Sequence, residues 1–284
     1  MFSSTISQIL ASSSHRLAAL HDTARLDAEV LIAHVLNFSR TQLYAWSGKM
    51  LSEADCRAID VLIARRCNGE PVAYIVGYKE FWSLNFKVTR DTLIPRPETE
   101  HLVELALTQI PKKGAWQIAD LGSGSGAIAI AIAKERPACQ LLAVDKSAPA
   151  LKIASENAAV LSVKNIRFCQ SNWFESLHGE SFDLIVSNPP YISLQDKHLS
   201  QGDVIYEPKS ALVSGADGLD DIRQIIKQAK KHLQPGAALL LEHGWSQATD
   251  VRAIFSAASY SNIYSHKDLA EHERVSQGVW AASV

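Results

Sequence analysis

Apolar residues recur at helical spacing over the first 70 positions and at strand spacing in many segments after them. Ile6, Ile9, Leu10, Leu17 and Leu20 can line one side of a helix. Leu26, Val30, Ala33 and Leu36 recur at three- and four-residue steps, which predicts a second helix with that stripe facing a core. Ser52-Glu-Ala-Asp55 resembles a capping box and predicts a helix running to about Arg66. Asn68-Gly69-Glu70-Pro71 then breaks the pattern. Residues 1–73 read as a small helical bundle.

After Pro71 the period changes. Leu84, Phe86 and Val88 alternate with Asn85, Lys87 and Thr89, so 74–95 reads as a β-hairpin linker closed by Pro95-Arg96-Pro97. A helix is expected from Glu98, with acidic residues in its first turn. From about residue 115 strands and helices alternate. Strands are expected over 116–121, 140–145, 166–170, 182–187 and 237–242, and helices over 126–135, 148–161 and 219–233. Continuous apolar strands between helices indicate a mostly parallel sheet covered on both faces. The fold class is α/β, with residues 96–284 as one domain.

Composition narrows the class of function. Charged residues are 20% and hydrophobic residues 47%, as in an ordinary globular chain. The longest stretches without Asp, Glu, Lys or Arg, 2–15 and 253–266, are shorter than the ~20 residues a membrane helix needs. The start of the chain lacks the basic region and continuous apolar core of a signal peptide, so a cytoplasmic protein is expected. The net charge of −2 argues against a broad phosphate-contacting surface. Residues 1–90 carry +2 and residues 91–284 carry −4, too small an asymmetry to identify a partner. Cys56, Cys67, Cys139 and Cys169 match no zinc or CxxC spacing, so free thiols and no metal are expected.

Two motifs carry chemistry. Asp120-Leu-Gly-Ser-Gly-Ser-Gly126 lies between a strand and a helix, where glycines let backbone approach a ligand closely. Asp145 ends the next strand, 19 residues after Gly126, where a carboxylate can accept the hydroxyl protons of a ribose. Gly122, Gly124 and Ala127 satisfy the loose dinucleotide form, and Gly122, Gly124 and Gly126 satisfy the G-x-G-x-G of S-adenosylmethionine enzymes. The loop alone does not choose between them.

The second motif is Asn188-Pro189-Pro190-Tyr191, at the carboxyl end of a strand. An amide nitrogen is a poor nucleophile, so a site that methylates one must orient its NH2 group. Asn188 can accept one N–H, and the Pro189 carbonyl, held by the fixed φ of proline, can accept the other. Tyr191 offers a flat face to the planar group. A dehydrogenase has no use for this tetrad, so the cofactor is read as S-adenosyl-L-methionine, with S-adenosyl-L-homocysteine as product.

With those residues in place the chain resembles a known family, the protein-glutamine N5-methyltransferases of the HemK/PrmC type. The resemblance spans nearly the whole chain. It rests on Gly69-Glu-Pro-Val-Ala-Tyr-Ile-Val-Gly77, Leu93-Ile-Pro-Arg-Pro-Glu-Thr-Glu100, Asp120–Gly126, Asn188–Tyr191 and Leu241-Glu-His-Gly244. It implies a Rossmann-like class I methyltransferase domain with a mostly parallel seven-stranded sheet, behind the bundle and hairpin. It implies that Gly122, Ser123, Gly124, Ser125, Gly126, Asp145, Trp173 and Asn188 bind S-adenosylmethionine, with Trp173 beside the adenine. It implies that Asn188, Pro189, Pro190 and Tyr191 bind the glutamine of a Gly-Gly-Gln motif, with Asn188, Pro189 and Tyr191 as the catalytic residues. The implied partners are class 1 peptide chain release factors, docked on the bundle, with no direct nucleic acid, no membrane and a monomeric enzyme. The family often has an acid where this chain has Asn172, so no adenine contact is assigned there.

Two rival reactions use the same tetrad. DNA adenine-N6 methylation also acts on an exocyclic NH2, but it needs a basic surface that the charge of −2 does not supply. Glutamine methylation of a large-subunit ribosomal protein should depart from Pro-Arg-Pro-Glu-Thr-Glu. Arg96, Glu98 and Glu100 fit either the border of an active site or a solvated helix start. Tyr78, Phe81 and Trp82 read as hairpin packing, and the histidines, His243 included, as structural.

Overall fold

A computed structural model describes residues 4–19 and 22–281 of the 284-residue chain. Leu20 lies outside the described residues. The chain divides into two compact units. One comprises Met1–Tyr78 and Ser200–Tyr206, the other Lys79–Leu199 and Glu207–Val284.

The first unit is helical: α1 (Ile6–Ala18), α2 (Ala24–Leu36), α3 (Arg40–Ala45), α4 (Glu53–Cys67) and α5 (Val72–Val76). Ile6, Leu10, Leu17, Leu31, Ile32, Ile59 and Ile63 form its core. Complete capping boxes open α1 (Thr5 with Gln8) and α3 (Ser39 with Gln42). At α4 only half of the expected box forms. Ser52 accepts from the Asp55 backbone N–H, but the short Asp55 carboxylate takes the Ser52 hydroxyl proton instead of reaching the cap backbone.

Three of the four expected stripe residues of α2, Val30, Ala33 and Leu36, pack in the core, and Leu26 does not. Leu26 is 43% exposed, whereas Ala24, Ala28, Leu31 and Ile32 face the core, joined by Ala33. Two acids turn inward with them because each finds a cation there. Asp27 accepts from Arg66 Nε at 2.7 Å, and Glu29 accepts from Arg25 and Arg40. A charge pattern that looks solvent-facing therefore belongs to a buried face. Asp203 accepts from Arg66 Nη1 at 2.6 Å, which ties the segment Ser200–Tyr206 into this unit.

A hairpin narrower than 74–95 follows, all but its first residue in the second unit: β1 (Tyr78–Phe81) and β2 (Leu84–Lys87). Its turn residues Trp82 and Ser83 both have positive φ, 53° and 55°, as a two-residue turn matching strand twist requires. The Trp82 backbone N–H donates to Glu100 at 2.7 Å and its indole N–H to Glu135 at 3.2 Å, which holds a conformation that non-glycine residues adopt at some cost. Phe81 and Phe86 are buried beneath it.

Then follow α6 (Glu100–Gln109), β3 (Gln117–Leu121), α7 (Ala127–Glu135), β4 (Gln140–Asp145), α8 (Ala148–Val160), β5 (Ile166–Gln170), β6 (Phe182–Ser187), α9 (Asp220–Ala229), β7 (Leu233–Glu242), α10 (Ala248–Ala257), β8 (Ser261–Lys267) and β9 (Glu273–Val279). The strands form one seven-stranded sheet in the order β5-β4-β3-β6-β7-β9-β8, parallel except for β9, which runs antiparallel to β7 and β8. Its two faces are buried separately. Ile118, Leu184 and Leu240 belong to one apolar cluster, and Ala119, Ile185 and Leu239 to the other. Strand order reverses direction between β3 and β6, so their carboxyl ends flank the crevice in which doubly wound sheets bind ligands. The glycine loop leaves β3 there and the tetrad leaves β6.

Candidate active site

The register sets the site. Leu121 pairs with Val144 on one side and Ser187 on the other, and Ser187 pairs with Leu241. Asp145, Asn188 and Glu242 each follow one of those residues, so three polar side chains emerge at neighbouring strand ends.

Gly122, Gly124 and Gly126 all have positive φ, 73°, 55° and 82°. A Cβ on Gly126 would meet Ile130 at 2.9 Å and Ala154 at 3.0 Å, so loop and helix close together only over a hydrogen. Gly122 N–H donates to Val144 O at 2.8 Å. Asp145 accepts from the Gly124 N–H through Oδ2 and from the Ser147 N–H through Oδ1, both at 2.8 Å. That carboxylate fixes the loop while keeping lone pairs for a ligand.

A cleft of about 170 Å³ opens over this loop. Of the expected cofactor residues, Gly122, Gly124, Asp145, Trp173 and Asn188 line it. Ser123, Ser125 and Gly126 are absent from its wall. Ser123 and Ser125 are buried, Ser125 O accepts from Asn157, and Gly126 caps α7. Trp173 is buried, and its ring edge would sit 3.3 Å from a Cβ on Gly122. Its indole N–H donates to Asp221 at 3.1 Å, so it is at once core and wall. Asn172 also lines the cleft, with its NH2 donated to Glu175 at 2.7 Å, which does not consume its acceptor oxygen.

Of the tetrad, Asn188 and Pro190 line the cleft. Pro189 is buried, and Tyr191 is half-buried with its hydroxyl directed at Glu242, 3.4 Å away. Burial and the nearby Glu242 raise the Tyr191 hydroxyl pKa well above its usual range, so it stays protonated. The Tyr191 carbonyl accepts from Gln247 at 3.0 Å. Asn188 Nδ2 donates to Thr99 Oγ1 at 3.1 Å.

Several contributors were not singled out from the sequence. Arg90, Asp91 and Leu93 line the cleft from the segment after the hairpin, and Pro208, Ser210 and Ala211 from the loop after the tetrad. Thr99 and Glu242 lie inside quoted motifs, yet nothing local marks them, because their partners lie 89 and 51 residues away. Arg96 pairs with Glu207, whose side chain is fully buried and also accepts from the Ile94 N–H. Glu100 holds the hairpin turn rather than the site. His243 is buried, with burial lowering its pKa, and its ring is held between Gly244 O and the Ser276 hydroxyl.

The residues present suit S-adenosylmethionine. Glycines clear the floor of the cleft and an acid stands at the ribose position of such folds. Two buried polar atoms at the loop, Asp120 Oδ1 and Ser123 Oγ, have no hydrogen-bond partner among the described residues. Burial pushes the Asp120 carboxyl up to about 7, with Asp145 adding to the rise. No group of three or more His, Cys, Asp or Glu among the described residues could hold a metal ion, and all four cysteines are free.

Comparison with known proteins gives three results. Residues 8–77 match the PrmC N-terminal domain and residues 100–244 the methyltransferase small domain. The chain is 48% identical over 257 residues to the release factor glutamine methyltransferase of Salmonella typhimurium and 47% to that of Escherichia coli K12, covering 90% of this chain and 92% of each relative. A methyltransferase from Pyrococcus furiosus shares the fold, with a TM-score of 0.54 at 16% identity over 77% of this chain and 98% of that one.

Proposed function

The chain belongs to the release factor glutamine methyltransferases, and on that premise we propose how its own residues carry the reaction. It is an enzyme that methylates the side-chain amide nitrogen of a glutamine in peptide chain release factors. The glutamine is read as that of the Gly-Gly-Gln motif, and the methyl donor as S-adenosylmethionine. One observation carries the assignment of residues: Asn188 shares a single cleft with Gly122, Gly124 and Asp145.

Bound in that cleft, S-adenosylmethionine supplies a methyl group on a positively charged sulfur. Asp145, which holds the Gly124 amide, would accept from the ribose hydroxyls. Asn188 Oδ1 accepts one N–H of the substrate amide and the Pro189 carbonyl accepts the other. With both protons held, the nitrogen lone pair points at the methyl carbon, and proximity and alignment supply most of the rate. The N–CH3 bond would form as the S–CH3 bond broke, and one N–H proton would then leave to solvent. Tyr191, kept neutral, packs on the amide plane and transfers no proton. A substrate of the translation apparatus supports a cytoplasmic location for the reaction.

The test is mass spectrometry of a release factor incubated with the protein and labelled S-adenosylmethionine. The expected result is the mass of one added CH2 group on the Gly-Gly-Gln glutamine, abolished by Asn188→Ala with the fold intact. Label appearing only on other residues, on a ribosomal protein or on DNA adenine would overturn the substrate assignment.

A further inference from the structure

Arg96 and Glu207 lie outside the wall of the cleft, yet each adjoins a stretch that lines it. Arg96 follows the lining residues Arg90, Asp91 and Leu93, and Glu207 precedes the lining residues Pro208, Ser210 and Ala211. Both stretches belong to the second unit. Neither lies on a strand, so no sheet ladder fixes its place.

One carboxylate joins the two stretches. Glu207 Oε2 accepts from the Ile94 backbone N–H at 3.1 Å, and Glu207 Oε1 accepts from Arg96 Nη2. The partners are more than 100 residues apart in the chain. The Glu207 side chain is fully buried, and Ile94 is buried with it. Val213 bridges to Ile192, the residue after the tetrad, so Pro208–Ala211 run between two held points, Glu207 and Val213. Burying a carboxylate is costly even when it is paired, and an apolar side chain would fill the same space at less cost. What the carboxylate adds is a directed link between the stretches.

We infer that Arg96 and Glu207 are positioning residues, a clasp that joins two walls of the cleft and thereby sets its affinity for S-adenosylmethionine. Walls held in place before the ligand arrives need no ordering when it binds. The inference rests on the reading that this cleft takes S-adenosylmethionine.

Isothermal titration calorimetry with S-adenosylmethionine tests the clasp in four variants of the full chain: Arg96→Met, Arg96→Lys, Glu207→Gln and the double variant Arg96→Met with Glu207→Gln. In Arg96→Met the Kd should rise about tenfold, the size of effect of losing a hydrogen bond to a charged group. Arg96→Lys keeps a cation for the carboxylate and should recover most of that loss. The double variant should bind about as weakly as either single variant, because both remove the same link. Turnover at saturating S-adenosylmethionine should stay close to that of the parent, since neither residue lines the cleft. Where Glu207→Gln does not fold, the contrast of methionine and lysine at position 96 decides alone, because Arg96 is 32% exposed. A parent-like Kd in Arg96→Met and Glu207→Gln would overturn the clasp and leave the cofactor site standing. A lower melting temperature with that same Kd would assign the pair to folding and overturn it too. Failure of lysine to recover affinity, or additive losses in the double variant, would equally overturn it. A parent protein that does not bind S-adenosylmethionine would overturn the reading of the cleft itself.

Discussion

Asp145 Oδ2 accepts the backbone N–H of Gly124 at 2.8 Å, so the carboxylate ending β4 holds open the glycine loop that leaves β3. A brace of the loop and the ribose contact proposed for this carboxylate therefore meet in one side chain. This couples two properties that are separable in a loop braced only by its own backbone.

Asp145→Ala should weaken S-adenosylmethionine binding on both counts. Losing a hydrogen bond to a charged group costs about 1.5–3 kcal/mol, which is roughly a 10- to 100-fold rise in Kd. Isothermal titration calorimetry measures it directly. An unchanged Kd would remove Asp145 from the site.

Gly218 has a φ of +80°, and a Cβ there would lie 2.3 Å from the Tyr191 carbonyl oxygen and 2.8 Å from Gln247 Nε2. Gly218→Ala should displace the end of the tetrad, lowering both melting temperature and turnover. Gly236, with a φ of +85°, has nothing within 4 Å of its Cβ position. Gly236→Ala should therefore cost only backbone strain, about 1–2 kcal/mol, with turnover retained. Equal effects of the two substitutions on turnover would rule out the tetrad as the cause.

Two buried carboxyls should make stability fall as pH rises. Burial pushes Asp120 from 3.8 to about 7 and Glu242 from 4.5 to about 7. The folded chain then binds more protons than the unfolded chain between about pH 4 and 7. Unfolding free energy must decrease across that window and level off above it. Asp120→Asn and Glu242→Gln should each flatten the fall, by an amount on the order of 3 kcal/mol. Urea titrations of the ligand-free protein at pH 5 and pH 8 provide the comparison. Wild-type slopes in both variants would mean that these carboxyls ionise normally.

Arg66 and Asp27 form an ion pair in the first unit, with side chains 5% and 9% exposed. Arg66→Met should destabilise that unit by about 3–5 kcal/mol, since Asp27 stays buried without its guanidinium. Adding Asp27→Leu should recover much of the loss, because an apolar pair carries no desolvation penalty. Differential scanning calorimetry of the single and double variants tests both signs. A single variant as stable as the parent would show that Asp27 reaches water.

What the sequence determined by itself was everything encoded within a few residues of its own position. The strand bounded by Gln140 and Asp145 and the strand ending at Ser187 follow from continuous apolar runs. Gly122, Gly124, Asn188 and Pro190 announce themselves because turn geometry and ring constraint are properties of adjacent residues. Only the tertiary structure decided that Asp27 of α2 turns inward, since it could be buried only where Arg66 meets it. It decided that Trp82 takes a positive φ, since Glu100 and Glu135 anchor it from elsewhere in the chain. It also decided that Thr99 meets Asn188 and that Glu242 meets Tyr191, because the fold brings together side chains that no local spacing relates. Local motifs state which groups can act, and the long-range pairings of the sheet state which way they point.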